Sequence, residues 1–244
     1  MLPRFFAPEA GATGPLVTLP EDEAQHLSRV LRLAPGARVH VFDGQGHEWQ
    51  GDVDEVSRQR VAIKISEPVA PAPESRIPIV LAIAILKGVK MDDVVRDAVM
   101  LGAAAIRPLV TDRTEIGLAT IAKSDRARRW RRIAVASAKQ CGRAVVPRIH
   151  DTVTLDTYLG APPDGARLML VEPGASAHGR DLRSVQTPAA TDVMIGPEGG
   201  WTGAEVAAAD RAGASLVTLG GPTLRADAVP LVALTALRVL WNDL

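Results

Sequence analysis

The sequence predicts an α/β protein in two parts, a small β-rich unit followed by a larger unit built on a parallel sheet. Three observations carry this. Alternation with a period of two dominates residues 1–72. Beyond a proline-rich stretch, continuous apolar runs take turns with segments of helical period. Glycine-rich turns stand at the ends of the later runs. With 244 residues, 47% of them apolar and 23% charged, the chain has material for two domains with real cores.

In the first unit, residues 16–19 read as a short strand. A helix follows from Pro20, because Glu21, Asp22 and Glu23 suit the positive end of its dipole and Ala24, Leu27, Val30 and Leu31 give it an apolar face. Residues 38–42 alternate as a strand, Asp43-Gly-Gln-Gly46 supplies a turn, and residues 47–56 and 60–65 alternate again. Pro68-Val-Ala-Pro-Ala-Pro73 is a stiff linker, which puts the boundary between residues 72 and 73.

In the second unit, residues 73–244, the unbroken apolar run 77–86 suits a buried parallel strand. A helix follows from Met91, with Val94, Val95, Ala98 and Leu101 on one face. Residues 105–110, 168–171, 192–195 and 215–219 read as further strands. Residues 124–142 form a long basic helix, residues 202–212 a helix capped by Thr202, and residues 228–241 a closing helix.

Several classes are excluded. The longest apolar run has ten residues and contains Pro78, against the roughly 20 that a membrane span needs. The N-terminus lacks the charged-then-apolar pattern of a secretory signal. A single cysteine, Cys141, rules out a disulfide framework and cysteine-based metal sites, and points to a reducing cytosol. His26, His40, His47, His150 and His178 show no metal-ligand spacing, so no metal is expected. Net charge is zero, yet residues 113–148 carry ten Lys or Arg and two acids, leaving +8 there and −8 elsewhere. Such segregation marks a basic face for a polyanion.

The chemistry-bearing segments are loops. Ile195-Gly-Pro-Glu-Gly-Gly-Trp-Thr-Gly203 runs from a strand into a helix, where glycines permit close ligand approach and the helix start offers free N–H donors. The same pattern also serves a strand-to-helix turn without a ligand, and it matches neither the dinucleotide fingerprint nor the P-loop. Leu219-Gly-Gly-Pro-Thr-Leu-Arg-Ala-Asp227 and Val171-Glu-Pro-Gly174 leave neighbouring strands in the same way. Three such exits at one carboxyl edge make a cleft.

These loops, together with Lys139-Gln-Cys-Gly-Arg143, Val146-Pro147, Arg4-Phe-Phe and His26-Leu-x-Arg-Val-Leu-Arg-Leu33, resemble the RsmE family, bacterial 16S ribosomal RNA uracil-N3 methyltransferases of the SPOUT superfamily. The resemblance implies a PUA-like β-barrel over residues 1–72 and a SPOUT methyltransferase domain with a trefoil knot over residues 73–244. It further implies a homodimer, a cytoplasmic location, and 16S ribosomal RNA or the small subunit as partner. S-adenosyl-L-methionine would be held by Val171, Glu172, Pro173, Ile195, Gly196, Pro197, Glu198, Gly199, Gly200, Leu219, Gly220, Leu224 and Arg225. The methyl acceptor would be N3 of a uridine.

Transfer to nitrogen needs positioning and stabilisation of a developing uracil anion, for which Arg225 and Arg143 are the candidates. Asp227 is the candidate base, although a free carboxylate is a weak match for that proton. Cys141 is read as a small buried thiol, since nitrogen methylation needs no covalent adduct. RNA contacts are expected from Arg4, Arg29 and Arg32 in the barrel, and from Lys87, Arg113, Arg126, Arg129, Arg132 and Arg143 beyond it. The basic helix is also compatible with a solvated face anchored by Trp130. The family continues Leu-Arg with Thr-Glu-Thr-Ala, where this chain has Ala226-Asp227-Ala228, and Met100-Leu101-Gly102 replaces Glu-Leu-Gly. Those departures leave open an RNA-binding protein of the same fold with impaired catalysis; a small-molecule α/β enzyme is the remaining alternative.

Overall fold

The computed structural model describes residues 2–12, 14–58, 60–174 and 179–243; His178 lies outside them. Two compact units emerge, Met1–Glu74 with Val135–Val146, and Ser75–Ala134 with Pro147–Leu244. Residues 135–146, expected in the second unit, cluster with the first.

The first unit contains β1 (Arg4–Phe6), β2 (Leu16–Thr18), α1 (Glu21–Gln25), β3 (Arg38–Phe42), β4 (Glu48–Val56) and β5 (Val61–Val69). They make one five-stranded sheet in the order β1-β3-β4-β5-β2. The β1–β3 pair is parallel and the others antiparallel. Alternate residues such as Val39, Val41, Val53, Val61 and Ile63 point into a core with Phe5, Val17 and Leu27.

Two expectations are corrected here. Helix α1 runs on into a π-turn, His26–Val30, in which the Leu31 N–H donates to the His26 carbonyl at 3.0 Å. The wider turn breaks the 3.6-residue register, so Leu27 is buried but Val30 is 67% and Leu31 40% exposed. Pro68 is not linker but strand, opposite Trp49. β2 pairs only with residues 62–64 of β5, so Pro68 faces no ladder on its other side and costs no hydrogen bond.

The second unit contains β6 (Ile79–Ala84), α2 (Lys90–Met100), β7 (Ala105–Val110) and α3 (Leu118–Ala122). The long helix α4 (Arg126–Cys141) starts here and ends in the first unit. Then come β8 (Arg148–Ile149), β9 (Val153–Thr154), α5 (Leu155–Gly160), β10 (Ala166–Leu170), β11 (Arg180–Asp181), β12 (Thr191–Ile195), α6 (Gly203–Arg211), β13 (Ser215–Thr218) and α7 (Val229–Leu240). The sheet order is β11-β13-β10-β12-β6-β7-β8, with β9 also on β7, and every pair is parallel. Ala82, Met169 and Met194 face a core shared with α5 and α6. The alternate residues Leu81, Ile83 and Val193 are equally buried, so both faces are covered. Helix α2 packs with α7.

Helix α4 buries Trp130, Ala134 and Ala138, spaced by four, so the anchoring role read for Trp130 holds. The Ala138 carbonyl accepts the Gly142 N–H at 3.1 Å, and the carbonyls at and past the helix end draw on donors from elsewhere. Arg4 meets them, donating from Nη1 to the Ala138 and Lys139 carbonyls at 3.1 and 2.9 Å and from Nη2 to the Arg143 carbonyl at 3.2 Å. Arg4 also forms a bidentate pair with Glu48, both bonds 2.9 Å, and is 8% exposed. Arg143, 6% exposed, pairs with Glu74 through Nε at 3.0 Å and Nη2 at 2.5 Å. Cys141, expected to be buried, is half-buried near the Ala138 carbonyl.

Removing one partner of a buried pair strands the other charge. Glu48→Ala is therefore expected to cost the first unit about 3–5 kcal/mol, read as a lower urea midpoint by circular dichroism.

Candidate active site

Because β13, β10 and β12 are neighbouring parallel strands, the chain leaves all three at the same edge. The exits Val171-Glu-Pro-Gly174, Gly196-Pro-Glu-Gly-Gly200 and Leu219 onward enclose a cleft of about 350 Å³. That is the scale of a small-molecule site. Leu170, Val171, Ile195, Val206, Leu219 and Leu224 give it apolar walls. Lys90, Arg113, Glu172, Glu198, Arg225 and Asp227 contribute charge.

The second loop is tied on every side. The Trp201 indole N–H donates to the Leu170 carbonyl at 2.8 Å, which brings its ring beneath Gly196; a Cβ there would stand 3.1 Å from the ring. Gly200 has φ +68°, and a Cβ would sit 3.0 Å from Glu172 Oε1. At the start of α6, Thr202 Oγ1 accepts from the Glu205 N–H at 3.2 Å while Glu205 accepts from the Thr202 N–H at 2.7 Å. The other Glu205 oxygen accepts from the Asp112 N–H at 2.9 Å. Arg113 Nη1 donates to the Gly199 and Trp201 carbonyls at 2.6 and 3.3 Å.

Glu198 leans away toward the start of α2. Its Oε1 accepts from the Lys87 N–H and from Lys90 Nζ, each at 3.1 Å. Burial pushes the Glu198 carboxyl up, but its own N–H, the Lys87 N–H and the Lys90 ammonium outweigh this and hold it below the ordinary 4.5. On the third loop, Asp227 Oδ1 is shielded from solvent and has no hydrogen-bond partner. Arg225 Nε stands 3.7 Å and Lys90 Nζ 3.9 Å from it.

Of the residues expected to hold the cofactor, all line the cleft except Gly199, which is turned toward Arg113 and whose carbonyl that side chain engages. Arg225 and Asp227 line it too. Arg143 is corrected on both counts, catalytic and RNA-binding, and Arg4 as an RNA contact. Their guanidiniums are consumed by buried pairing with Glu74 and Glu48. Arg113, expected on RNA, clamps the second loop. The Lys87 ammonium pairs with exposed Glu115 at 2.5 Å.

Along α4, Arg129 pairs with Asp92, Arg128 with Asp125 and Arg131 with Asp151. Among the described residues Arg126 and Arg132 form no ion pair. Arg29 and Arg32 are exposed in the first unit. Among the described residues no three His, Cys, Asp or Glu gather as a metal site.

Sequence reasoning missed Lys90 and Trp201. For Lys90 the signal lay in the topology, since β6, which precedes it, pairs directly with β12, whereas Trp201 stands within the glycine-rich segment 195–203 itself.

An α/β unit with parallel strands whose glycine-rich exits converge on one cleft, attached to a small β unit, matches a known class. A family profile for an RNA methyltransferase domain matches residues 73–238, and one for the PUA domain of RNA methyltransferases matches residues 19–66. Ribosomal RNA small subunit methyltransferase E of Synechocystis is 32% identical over 230 residues, spanning 93% of this chain and 74% of that protein. Its Bacillus subtilis namesake is 26% identical over 229 residues, spanning 91% and 90%. The crystal structure of ribosomal RNA small subunit methyltransferase E from Neisseria gonorrhoeae, bound to S-adenosyl methionine, superposes with a TM-score of 0.88 at 31% identity over 99% of this chain and 98% of that one. The chain belongs to the RNA methyltransferase family, and within it to the ribosomal RNA small subunit methyltransferase E (RsmE) group.

The depressed Glu198 carboxyl sets a sign. Its contribution is present above the ordinary 4.5 and is lost as pH falls through the lower folded value. Glu198→Gln is expected to melt below the wild type near neutral pH. The gap should close as pH falls through the lowered folded value, which calorimetry at decreasing pH reads.

Proposed function

We propose that this chain is an S-adenosyl-L-methionine-dependent methyltransferase that modifies N3 of a uridine in 16S ribosomal RNA of the small subunit. The observation that carries it is the cleft at the carboxyl ends of β10, β12 and β13, in a chain of the RsmE family. Its fit to the cofactor rests on apolar walls, on glycines at which a Cβ would crowd Trp201 and Glu172, and on the Glu172 carboxylate, which suits a cationic sulfonium.

The cofactor would supply an electrophilic methyl group. The backbone of residues 171–173 and 195–200 would hold it, with Gly196 and Gly200 giving the closest approach. Trp201 and Arg113 keep the second loop in shape before anything binds, so little ordering is required at binding. Arg225, 79% exposed on the third loop, is placed to stabilise charge developing on the uracil oxygens. RNA would be met through phosphates by Arg126 and Arg132 on α4 and by Arg29 and Arg32 in the PUA-like unit.

The trefoil knot, the closed barrel and the homodimer belong to this reading. Leu231, Val232, Val239 and Leu240 on α7 are exposed and offer an apolar surface for a second copy. A cytoplasmic place follows from the substrate. No helix among the described residues is long and apolar enough to cross a membrane.

The test is transfer of labelled methyl to small ribosomal subunits with nucleoside analysis; 3-methyluridine is expected, and its absence overturns the reading. Arg225→Ala should reduce transfer by about 100-fold while leaving RNA affinity within about twofold. Equal loss of both would remove Arg225 from catalysis. Arg126→Ala and Arg132→Ala should each weaken RNA binding and lower the slope of log affinity against log salt by about one.

A further inference from the structure

The third loop holds a feature that cofactor binding leaves unexplained. Asp227 lines the cleft, yet its Oδ1 is shielded from water with no donor. A buried acceptor left unmade is costly, and more so when charged. The two neighbouring cations do not settle it. Lys90 Nζ is 3.9 Å from Oδ1 and is already committed to Glu198 at 3.1 Å. Arg225 Nε is 3.7 Å away on a side chain that is 79% exposed and so free to swing aside. The site therefore holds an acceptor waiting for a donor, beside a cation that can move.

We infer that Asp227 Oδ1 is the atom that reads the N3–H of the target uracil and takes that proton during transfer. This rests on the methyltransferase reading above. Uracil presents a hydrogen at N3 and so satisfies the open oxygen. Cytosine presents a lone pair at the same ring position, and the carboxylate repels it. A site with a buried polar group rejects a substrate lacking the matching group far better than an apolar pocket does. Asp227 thus separates uridine from cytidine before any chemistry.

The proton balance follows. Asp227 Oδ1 accepts the N3 proton, and the N3 electron pair forms the bond to the methyl carbon. The methyl–sulfur bond breaks with its pair going to sulfur, which leaves a neutral thioether. Protonated Asp227 then returns its proton to solvent. A carboxylate is a weak base for N3–H, so removal of the proton depends on stabilising the negative charge that develops on the uracil oxygens. Arg225, displaced from Oδ1 by the base, is left beside the uracil oxygens where negative charge collects.

The experiment compares wild type, Asp227→Asn and Asp227→Ala with S-adenosylmethionine on small ribosomal subunits. It uses two substrates, native subunits and subunits rebuilt with cytidine at the mapped target position. Asp227→Asn is expected to lower kcat on uridine by about 100-fold, the scale of a lost general base, while S-adenosylmethionine affinity by calorimetry and the melting temperature stay unchanged. Asp227→Ala, which removes the repulsion, should form more 3-methylcytidine on the cytidine subunits than the wild type does. Full uridine turnover in Asp227→Asn overturns the inference. So does loss of cofactor affinity in that variant, since Asp227 would then be holding the cofactor, and so does unchanged rejection of cytidine by Asp227→Ala. A wild type that forms no 3-methyluridine fails at the earlier step and removes the proposed function itself.

Discussion

Parallel pairing of β10 with β12 on one side and β13 on the other is the constraint on which the site depends. The register sets Leu168 opposite Val193 and Ser215, so three chain segments far apart in sequence end at one level of the sheet. A parallel sheet buried on both faces allows no slip, because a shift of one residue would turn Met169 and Met194 out of their core. The glycine-rich exits then have nowhere to go but toward one another. Ligand sites in open parallel sheets form at this edge for that reason.

Buried charge fixes the rest of each unit. In the first, Arg4 neutralises Glu48 and donates to the carbonyls at the end of α4, serving two sets of acceptors at once. In the second, Arg238 on α7 donates to the Ile77 carbonyl at 2.7 Å and pairs with Asp243, whose oxygens also accept the Arg76 and Ile77 N–H groups at 2.8 and 3.1 Å. Burial raises the Asp243 carboxyl, but those donors outweigh it and hold it below its ordinary value. The segment after α7 is thereby tied to the start of β6, the strand that lies beside β12 in the sheet.

Much of the fold could be read from sequence because it is written locally. Period two marked β3 and β4, a continuous apolar run marked β6, and Thr202 as a cap marked the start of α6. What escaped depends on partners distant in the chain. Arg4 and Arg143 looked like free cations, since their acids stand 44 and 69 residues away and no spacing rule connects them. The π-turn at His26–Val30 escaped because it differs from an α-turn by one hydrogen bond, yet that bond decides that Val30 and Leu31 face out. Helices α3 and α5 are five and six residues long, too short for a periodic signal. The candidate site was legible in its glycines and prolines, which are backbone requirements. Lys90 was not, because only the sheet brings it to the second loop.

The six charged side chains of the cleft divide the work between them. Glu198 and Lys90 satisfy each other, and Arg113 is occupied by carbonyls of the second loop. These are the supports of a preorganised surface, fixed before a ligand arrives. Glu172 is exposed beside Gly200. Asp227, on the loop between β13 and α7, stands 3.7 Å from Arg225 and 3.9 Å from Lys90 without a hydrogen bond to either. A rigid site spends its binding energy on geometry, whereas a loosely paired acid and base can exchange partners as charge moves. The first two loops are thus tied by their own contacts, while the third carries the loosely paired charges. The same division explains how the chain can replace Thr-Glu-Thr with Ala226-Asp227-Ala228 and still present a carboxylate to the cleft. The side chain is one methylene shorter and still lines the cleft.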